Sequence, residues 1–283
     1  MPKTSKPTRA LKKPKLGQNF LVDASGALKI VDALGDLSDA AVVEIGPGRG
    51  AITDLLVKRA KRVIAIEVDR VLAAQLRFRY SRFPNAEILE ADILAVELKT
   101  VLAQRIGPLR DLRPTKPQKV RIVGNLPYYI TSDILLRLFE AHGLIDFAVI
   151  MVQKEVADRI AAKPGSSEYG LLSATAQLYT KVEKVFTLSP GAFNPPPQVH
   201  STVLRLRMEP RIEALGVEEN GFIEFLKAIF AQKRKTLFNN LRERYEAEKA
   251  RAAMKAAGLK PDVRAEAISL EKTAALYKEL GNG

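Results

Sequence analysis

Short apolar runs alternate with helical stretches along the first two thirds of the chain. Runs of this kind are typical of strands that are buried on both faces of a parallel sheet. The predicted strands cover residues 41–46, 62–67, 86–91, 120–126, 146–152 and 199–207. Because strands and helices alternate, we predict an α/β fold with a mainly parallel sheet. The last strand alternates apolar and polar residues and is expected to be an antiparallel edge strand.

The pattern changes after Pro210, where apolar residues recur at helical spacing. Helices are predicted over residues 222–230, 237–245, 251–257 and 269–280. We therefore predict three parts along the chain. They are a flexible basic arm over residues 1–15, a sheet-containing domain over 16–208 and a small all-helical domain over 209–283.

A glycine-rich turn follows the first predicted strand, and a helix is predicted after it over residues 51–60. Gly46 and Gly48 lack a Cβ, so the backbone of this turn can approach a ligand closely. Glu67 ends the next strand about 20 residues further on, at the position where a ribose diol is usually held. The segment therefore indicates a nucleoside ligand.

The details of this turn favour S-adenosylmethionine over a dinucleotide. Pro47 and the spacing of the glycines depart from the Gly-x-Gly-x-x-Gly pattern that packs a helix against a pyrophosphate. Asp92, at the end of the third strand, can accept a hydrogen bond from an adenine amine while Ile93 packs on the ring. A nicotinamide-dependent oxidoreductase remains an alternative.

The strand over residues 120–126 ends in an amide, a proline and two aromatic residues. The Asn125 side chain offers a carbonyl acceptor, Pro127 has no N–H, and the Tyr128 ring can stack on a flat base. Together they suit the exocyclic amine of a base. An ordinary strand followed by a proline turn is the alternative.

Five segments occur here in the order found in the rRNA adenine N6-dimethyltransferases. They cover residues 16–21, 44–48, 125–128, 153–156 and 193–199. The chain resembles this family from about residue 16 to about residue 270, most closely its bacterial small-subunit branch. The resemblance implies a Rossmann-like class I methyltransferase sheet and S-adenosylmethionine as the methyl donor. It also implies dimethylation of the N6 amines of two adjacent adenosines near the 3′ end of small-subunit (16S) rRNA, during ribosome biogenesis.

The resemblance also assigns roles to residues. Those expected to contact S-adenosylmethionine are Asn19, Leu21, Gly46, Glu67, Asp92 and Asn125, to which the pattern of the turn and strand ends adds Gly48 and Ile93. The target base is expected near residues 125–128 and near Phe193. We expect the Asn125 side-chain carbonyl and the Leu126 backbone carbonyl to accept from N6, so that no general base is needed.

The base must leave its stack to be methylated, and aromatic side chains can replace the lost stacking. Tyr128 and Phe193 are the candidates. A rigid proline run over residues 195–197 follows Phe193 and can project its ring over the site. The alternative is that Phe193 is a core anchor beside a proline-rich linker.

A formal net charge of +13 in 283 residues indicates a nucleic-acid partner. The segment over residues 232–244 is predicted to form a helix whose exposed face contacts rRNA phosphates. Its candidate contacts are Lys233, Arg234, Lys235 and Arg242. A solvated face is the alternative, and an anionic membrane surface is the competing partner. No apolar run approaches the roughly 20 residues of a membrane span. We therefore expect a cytoplasmic protein that has no membrane partner.

The chain has no cysteine and only two histidines, His142 and His200, which stand in no metal-ligand spacing. No metal site is therefore expected. We expect a monomer that acts on rRNA in a 30S or pre-30S particle. A large-subunit rRNA adenine N6-dimethyltransferase of the antibiotic-resistance type is the runner-up, and a non-catalytic ribosome-assembly or transcription factor is a third hypothesis. No role is assigned to the proline- and lysine-rich stretch over 104–119.

Overall fold

The computed structural model describes residues 18–106 and 120–281. The predicted basic arm over residues 1–15 and most of the stretch over 104–119 lie outside the described residues. In the described part the strands are β1 Phe20–Leu21, β2 Ala41–Ile45, β3 Arg62–Glu67, β4 Ala86–Glu90, β5 Val120–Asn125, β6 Ile145–Gln153, β7 Thr180–Leu188, β8 Phe193–Asn194 and β9 Ser201–Met208.

Seven of these strands form one sheet in the order β4-β3-β2-β5-β6-β9-β7. Strands β2 to β6 pair in parallel, while β9 is antiparallel to both β6 and β7. Strands β1 and β8 form a separate two-stranded antiparallel ladder. The prediction of a mainly parallel sheet with an antiparallel edge is confirmed.

The described helices connect the parallel strands and then form the C-terminal part. They are α1 Ala24–Asp32, α2 Thr53–Arg59, α3 Arg70–Arg79, α4 Leu98–Ile106, α5 Thr131–Glu140, α6 Lys154–Ile160, α7 Leu171–Tyr179, α8 Ile212–Leu215, α9 Glu219–Ile229, α10 Leu237–Leu241, α11 Ala247–Ala256 and α12 Leu270–Gly281. Short 3-10 helices cover Tyr128–Ile130, His142–Leu144, Pro190–Ala192 and Ala265–Ala267. None of the helices in the described ranges is long and apolar enough to cross a bilayer.

The sheet has a hydrophobic core on each face because side chains alternate along every strand. In β2, Val43 belongs to the core formed with α4, α5 and α7, whereas Val42 belongs to the core formed with α1, α2 and α3. The C-terminal helices join the first of these cores through buried residues such as Phe222 and Leu276. Both faces of the sheet are therefore covered by packed helices, which keep the ends of its strands in place.

The identity of the edge strand differs from the prediction. The strand predicted over 199–207 is β9, which is antiparallel as expected but lies between β6 and β7. The antiparallel strand at this edge of the sheet is β7, which was not predicted from the sequence. Most of its residues are exposed, because a single neighbour covers it and its charged side chains, among them Lys181 and Lys184, face solvent.

Candidate functional site

A cavity of about 320 Å³ opens at the carboxyl ends of β2, β3, β4 and β5. The chain order of the sheet reverses between β2 and β5, and ligands of open α/β sheets bind at such switch points. The lining residues are Gln18, Asn19, Phe20, Leu21, Glu44, Ile45, Gly46, Pro47, Gly48, Arg49, Ala51, Ile52, Ile66, Glu67, Val68, Ala91, Asp92, Ile93, Leu94, Asn125, Leu126, Pro127, Tyr128, Tyr129 and Ile130.

The glycine-rich turn forms one wall of this cavity. Gly48 has φ +57°, and a Cβ at this position would lie 3.0 Å from the Phe20 ring. Gly50 has φ +85°, and a Cβ there would lie 2.4 Å from the Tyr80 hydroxyl. Both positions therefore need glycine for its positive φ and for close packing. The turn brings the backbone to the cavity surface, as the sequence predicts.

Glu67 closes the turn from the neighbouring strand. Its Oε2 accepts from the Gly48 N–H at 3.0 Å, and its Oε1 accepts from the Asp69 N–H at 2.9 Å. The residue is buried, 2% exposed, and still lines the cavity. Each carboxylate oxygen keeps a second lone pair, so a fixed carboxylate faces the cavity where a diol can donate to it.

Asp92 and Ile93 line the cavity beyond the end of β4. Asp92 is exposed, and its Oδ1 accepts from the Leu94 N–H at 2.9 Å. Ile93 is buried beside it. One polar and one apolar group therefore lie together, as binding the amine and the face of an adenine requires.

A third acid, Glu44, lies at the cavity and was not predicted as a site residue. It sits in β2 with 1% exposure and accepts a hydrogen bond from Thr53 Oγ1 at 2.6 Å. Burial raises the pKa of Glu44 to about 8, with the nearby Glu67 charge acting in the same direction. The signal in the sequence was an acid inside an otherwise apolar strand, where an unpaired charge is costly.

The Asn125 side chain is oriented by the segment that precedes α1. Its Nδ2 donates to the Asn19 carbonyl at 3.0 Å, which fixes the amide so that Oδ1 remains an acceptor. The neighbouring Leu126 is buried, and its N–H donates to the Met151 carbonyl at 3.0 Å. This end of β5 therefore presents a fixed acceptor at the cavity.

Aromatic residues follow the acceptor in the 3-10 helix Tyr128–Ile130. Pro127 begins this turn and accepts from Thr131 Oγ1 at 3.1 Å. The Tyr128 hydroxyl lies 3.0 Å from Ser201 Oγ, which restrains the ring, and Tyr129 is 66% exposed. Two rings therefore line the cavity: Tyr128, which is restrained by Ser201, and Tyr129, which is exposed to solvent.

Phe193 lies elsewhere than predicted. It belongs to β8, opposite Leu21 of β1, and is 3% exposed in the core on the α1 face of the sheet. Its ring is absent from the lining of the cavity. The expectation that the proline run projects this ring over the site is wrong for this structure, because the pairing with β1 turns the ring inward.

The four predicted basic contacts are all exposed, but their settings differ. Lys233 donates to the Ser167 carbonyl at 2.7 Å, and Lys235 forms an ion pair with Glu243 at 3.1 Å. The Arg242 guanidinium lies 5.8 Å from the Phe238 ring centre. Lys233, Arg234 and Lys235 precede α10 in a turn, so the predicted helix over 232–244 is shorter than expected.

The histidines lie outside the cavity. His142 contacts the Phe139 carbonyl through Nδ1 at 2.8 Å, and His200 is exposed. Within residues 18–106 and 120–281, no cluster of three or more histidine, aspartate or glutamate side chains could hold a metal ion.

Known proteins resemble the chain along nearly its whole length. The family model described as ribosomal RNA adenine dimethylase matches residues 9–282. A protein of Koribacter versatilis named ribosomal RNA small subunit methyltransferase A is 80% identical, over 99% of this chain and 98% of that protein. A protein of the same name from Acidobacterium capsulatum is 54% identical, over 95% of this chain and 91% of that protein.

Two solved structures have the same fold over most of the chain. The 23S rRNA methyltransferase ErmE superimposes with a TM-score of 0.67 at 27% identity, over 93% of this chain and 100% of that one. A dimethyladenosine transferase from Plasmodium falciparum superimposes with a TM-score of 0.70 at 24% identity, over 93% of this chain and 98% of that one.

Proposed function

Because the chain belongs to the ribosomal RNA adenine dimethylase family, we propose that its cavity binds S-adenosylmethionine beside an extruded adenosine of rRNA. The enzyme dimethylates the N6 amines of two adjacent adenosines near the 3′ end of small-subunit (16S) rRNA. The observation that carries this function is the 80% identity, over nearly the full chain, to a relative named for the small subunit. That identity favours the small-subunit substrate over the large-subunit alternative.

The residues of the cavity fit the groups of the methyl donor. Glu67 faces the position of the ribose diol, while Asp92 and Ile93 suit the adenine amine and ring. Gly46 and Gly48 leave room for the backbone to contact the amino-acid end, next to Asn19 and Leu21. S-adenosylmethionine supplies an activated methyl group on a sulfonium.

Asn125 and Leu126 act on the nucleophile. The lone pair of the adenine N6 is delocalised into the ring, and two carbonyl acceptors on its hydrogens turn that lone pair toward the methyl group. The Asn125 Oδ1 is held for this role because its Nδ2 donates to Asn19. The same acceptors stabilise the positive charge that develops on nitrogen, after which the proton leaves to water.

Tyr128 and the exposed Tyr129 take the place of the neighbouring bases when the adenosine leaves its stack. Phe193 has no place in this stacking, since its ring is buried. The exposed side chains Arg234 and Arg242, with Lys233 and Lys235 beside them, contact phosphates of rRNA in a 30S or pre-30S particle. The enzyme acts as a monomer on this particle, and residues 209–283 form its helical RNA-binding part.

The function is tested by the product and by the substrate. The protein is incubated with labelled S-adenosylmethionine and either undermethylated small subunits or naked large-subunit rRNA, and the RNA is digested to nucleosides. We expect labelled N6,N6-dimethyladenosine from the small subunits alone. Label in large-subunit rRNA would support the antibiotic-resistance type instead, and no labelled nucleoside from either RNA would contradict the assignment.

A further inference from the structure

Arg49 and Phe20 form a stacked pair at the wall of the cavity. The Arg49 guanidinium lies 4.5 Å from the centre of the Phe20 ring, and both residues line the cavity. The ring also packs against Gly48, where an added Cβ would lie 3.0 Å away. Stacking of this kind holds a guanidinium in place and leaves its N–H groups free to donate.

Arg49 has no carboxylate partner among the residues that the structure describes. Asp54, five residues after it, is held by the Tyr80 hydroxyl at 2.9 Å and by the Arg79 guanidinium. Arg79 also donates to the Arg49 carbonyl at 3.0 Å, which fixes the backbone of the turn. The Arg49 side chain is exposed, so its charge is available to a ligand.

The charges around the cavity match those of the methyl donor. Four described lining residues have a carboxyl or guanidinium group: Glu44, whose raised pKa keeps it protonated near neutral pH, the acids Glu67 and Asp92, and Arg49 as the one cation. S-adenosylmethionine carries two cationic groups, the sulfonium and the ammonium, and one anion, the α-carboxylate. A single cation among acids therefore complements a single carboxylate among cations.

The position of Arg49 also agrees with the amino-acid end of the donor. Phe20 follows Asn19, whose carbonyl accepts from the Asn125 amide at the expected site of methyl transfer. Asp92, the proposed contact of the adenine amine, lines the same cavity from beyond the end of β4. The pair of Arg49 and Phe20 is therefore adjacent to Asn19, the residue that fixes Asn125 at the expected site of methyl transfer.

We propose that Arg49 binds the α-carboxylate of S-adenosylmethionine and that Phe20 positions the guanidinium for this contact. The inference rests on the proposed function and specifies how the donor is recognised. An rRNA phosphate is the other anion that could reach a cation at the cavity mouth, and the experiment separates the two.

The test measures equilibrium binding by calorimetry for three ligands. They are S-adenosylmethionine, S-adenosylhomocysteine, which keeps the carboxylate, and decarboxylated S-adenosylmethionine, which lacks it. The proteins are the wild type, Arg49→Gln, Arg49→Lys and the matched control Arg82→Gln, an exposed arginine outside the cavity. The salt dependence of small-subunit binding is measured for the same proteins.

We expect Arg49→Gln to weaken the binding of both ligands that carry the carboxylate by about tenfold or more, because a charge-assisted hydrogen bond is lost. Binding of the decarboxylated ligand should change by less than about twofold on the same reasoning. Arg49→Lys should be intermediate, since lysine keeps the charge but not the planar fork. Arg82→Gln should bind all three ligands as the wild type does.

Equal losses for all three ligands, or no loss for any of them, would overturn the proposal. Unchanged donor binding together with a flatter salt dependence of small-subunit binding would overturn it too, since Arg49 would then contact an rRNA phosphate. If the wild type bound none of the three ligands, the proposed function would fail together with this inference.

Discussion

Replacing Glu44 with glutamine should change how the stability of the protein depends on pH. Glu44 is 1% exposed, and burial raises its pKa from 4.5 to about 8. Between these values the folded protein keeps a proton that the unfolded chain has released. The free energy of unfolding therefore falls as the pH rises through this window, because ionisation stabilises the unfolded chain while the buried Glu44 carboxyl stays protonated.

The size of the effect follows from the same two values. The interval from pH 4.5 to about 8 corresponds to on the order of 5 kcal/mol, at about 1.4 kcal/mol per pH unit. A glutamine at position 44 stays neutral and can still accept from Thr53 Oγ1. The variant should therefore gain several kcal/mol relative to the wild type as the pH rises, by this linkage.

The assay is urea unfolding of both proteins at pH 5, 7 and 9, with the difference in unfolding free energy plotted against pH. Groups that titrate in both proteins cancel in this difference. Glu213→Gln, at an exposed position of α8, is the matched control and should change stability little. A difference between Glu44→Gln and the wild type that stayed constant from pH 5 to pH 9 would refute the burial argument.

Two further predictions concern the glycine turn and the basic surface. Gly50→Ala should lower the unfolding free energy by roughly 2 kcal/mol or more. Its Cβ would lie 2.4 Å from the Tyr80 hydroxyl, whereas the matched control Gly165→Ala, at φ +90° with open space around it, should lose only the backbone part. Arg234→Glu with Arg242→Glu should weaken small-subunit binding and reduce its salt slope by about two. An unchanged slope would favour a solvated face.

Much of the site could be predicted because its residues stand where buried strands end. The acid at Glu67, the acid at Asp92 and the amide at Asn125 each close an apolar run, and parallel strands bring those ends to one edge of the sheet. The structure places all three at one cavity. Sequence order and strand direction were sufficient for this part of the prediction.

Other features depend on contacts that a local pattern does not contain. The proline run after Phe193 predicts an extended chain, but the side to which the ring points is set by pairing with Leu21, far away in sequence. The first turn of α10 begins only after Thr236, whose Oγ1 accepts from the Asn239 N–H at 3.3 Å. Helical spacing alone therefore predicted a helix over 232–244 that is longer at both ends than α10.

The edge strand β7 was missed for a related reason. Charged residues, among them Lys181, Glu183 and Lys184, interrupt its apolar pattern, as they would in a solvated segment. Charged side chains are how exposed edges resist pairing with other chains, so their presence agrees with an edge strand as well. Only the register against β9 distinguishes the two interpretations.

The central claim is that the Asn125 amide, fixed by Asn19, orients the adenine N6 for methyl transfer. The most direct test is single-turnover methylation of undermethylated small subunits by Asn125→Ala, with the dissociation constant of S-adenosylmethionine measured on the same protein. The account predicts a fall of roughly 100-fold or more in the rate of methyl transfer, with a far smaller change in donor binding. A near-wild-type rate in this variant would contradict it.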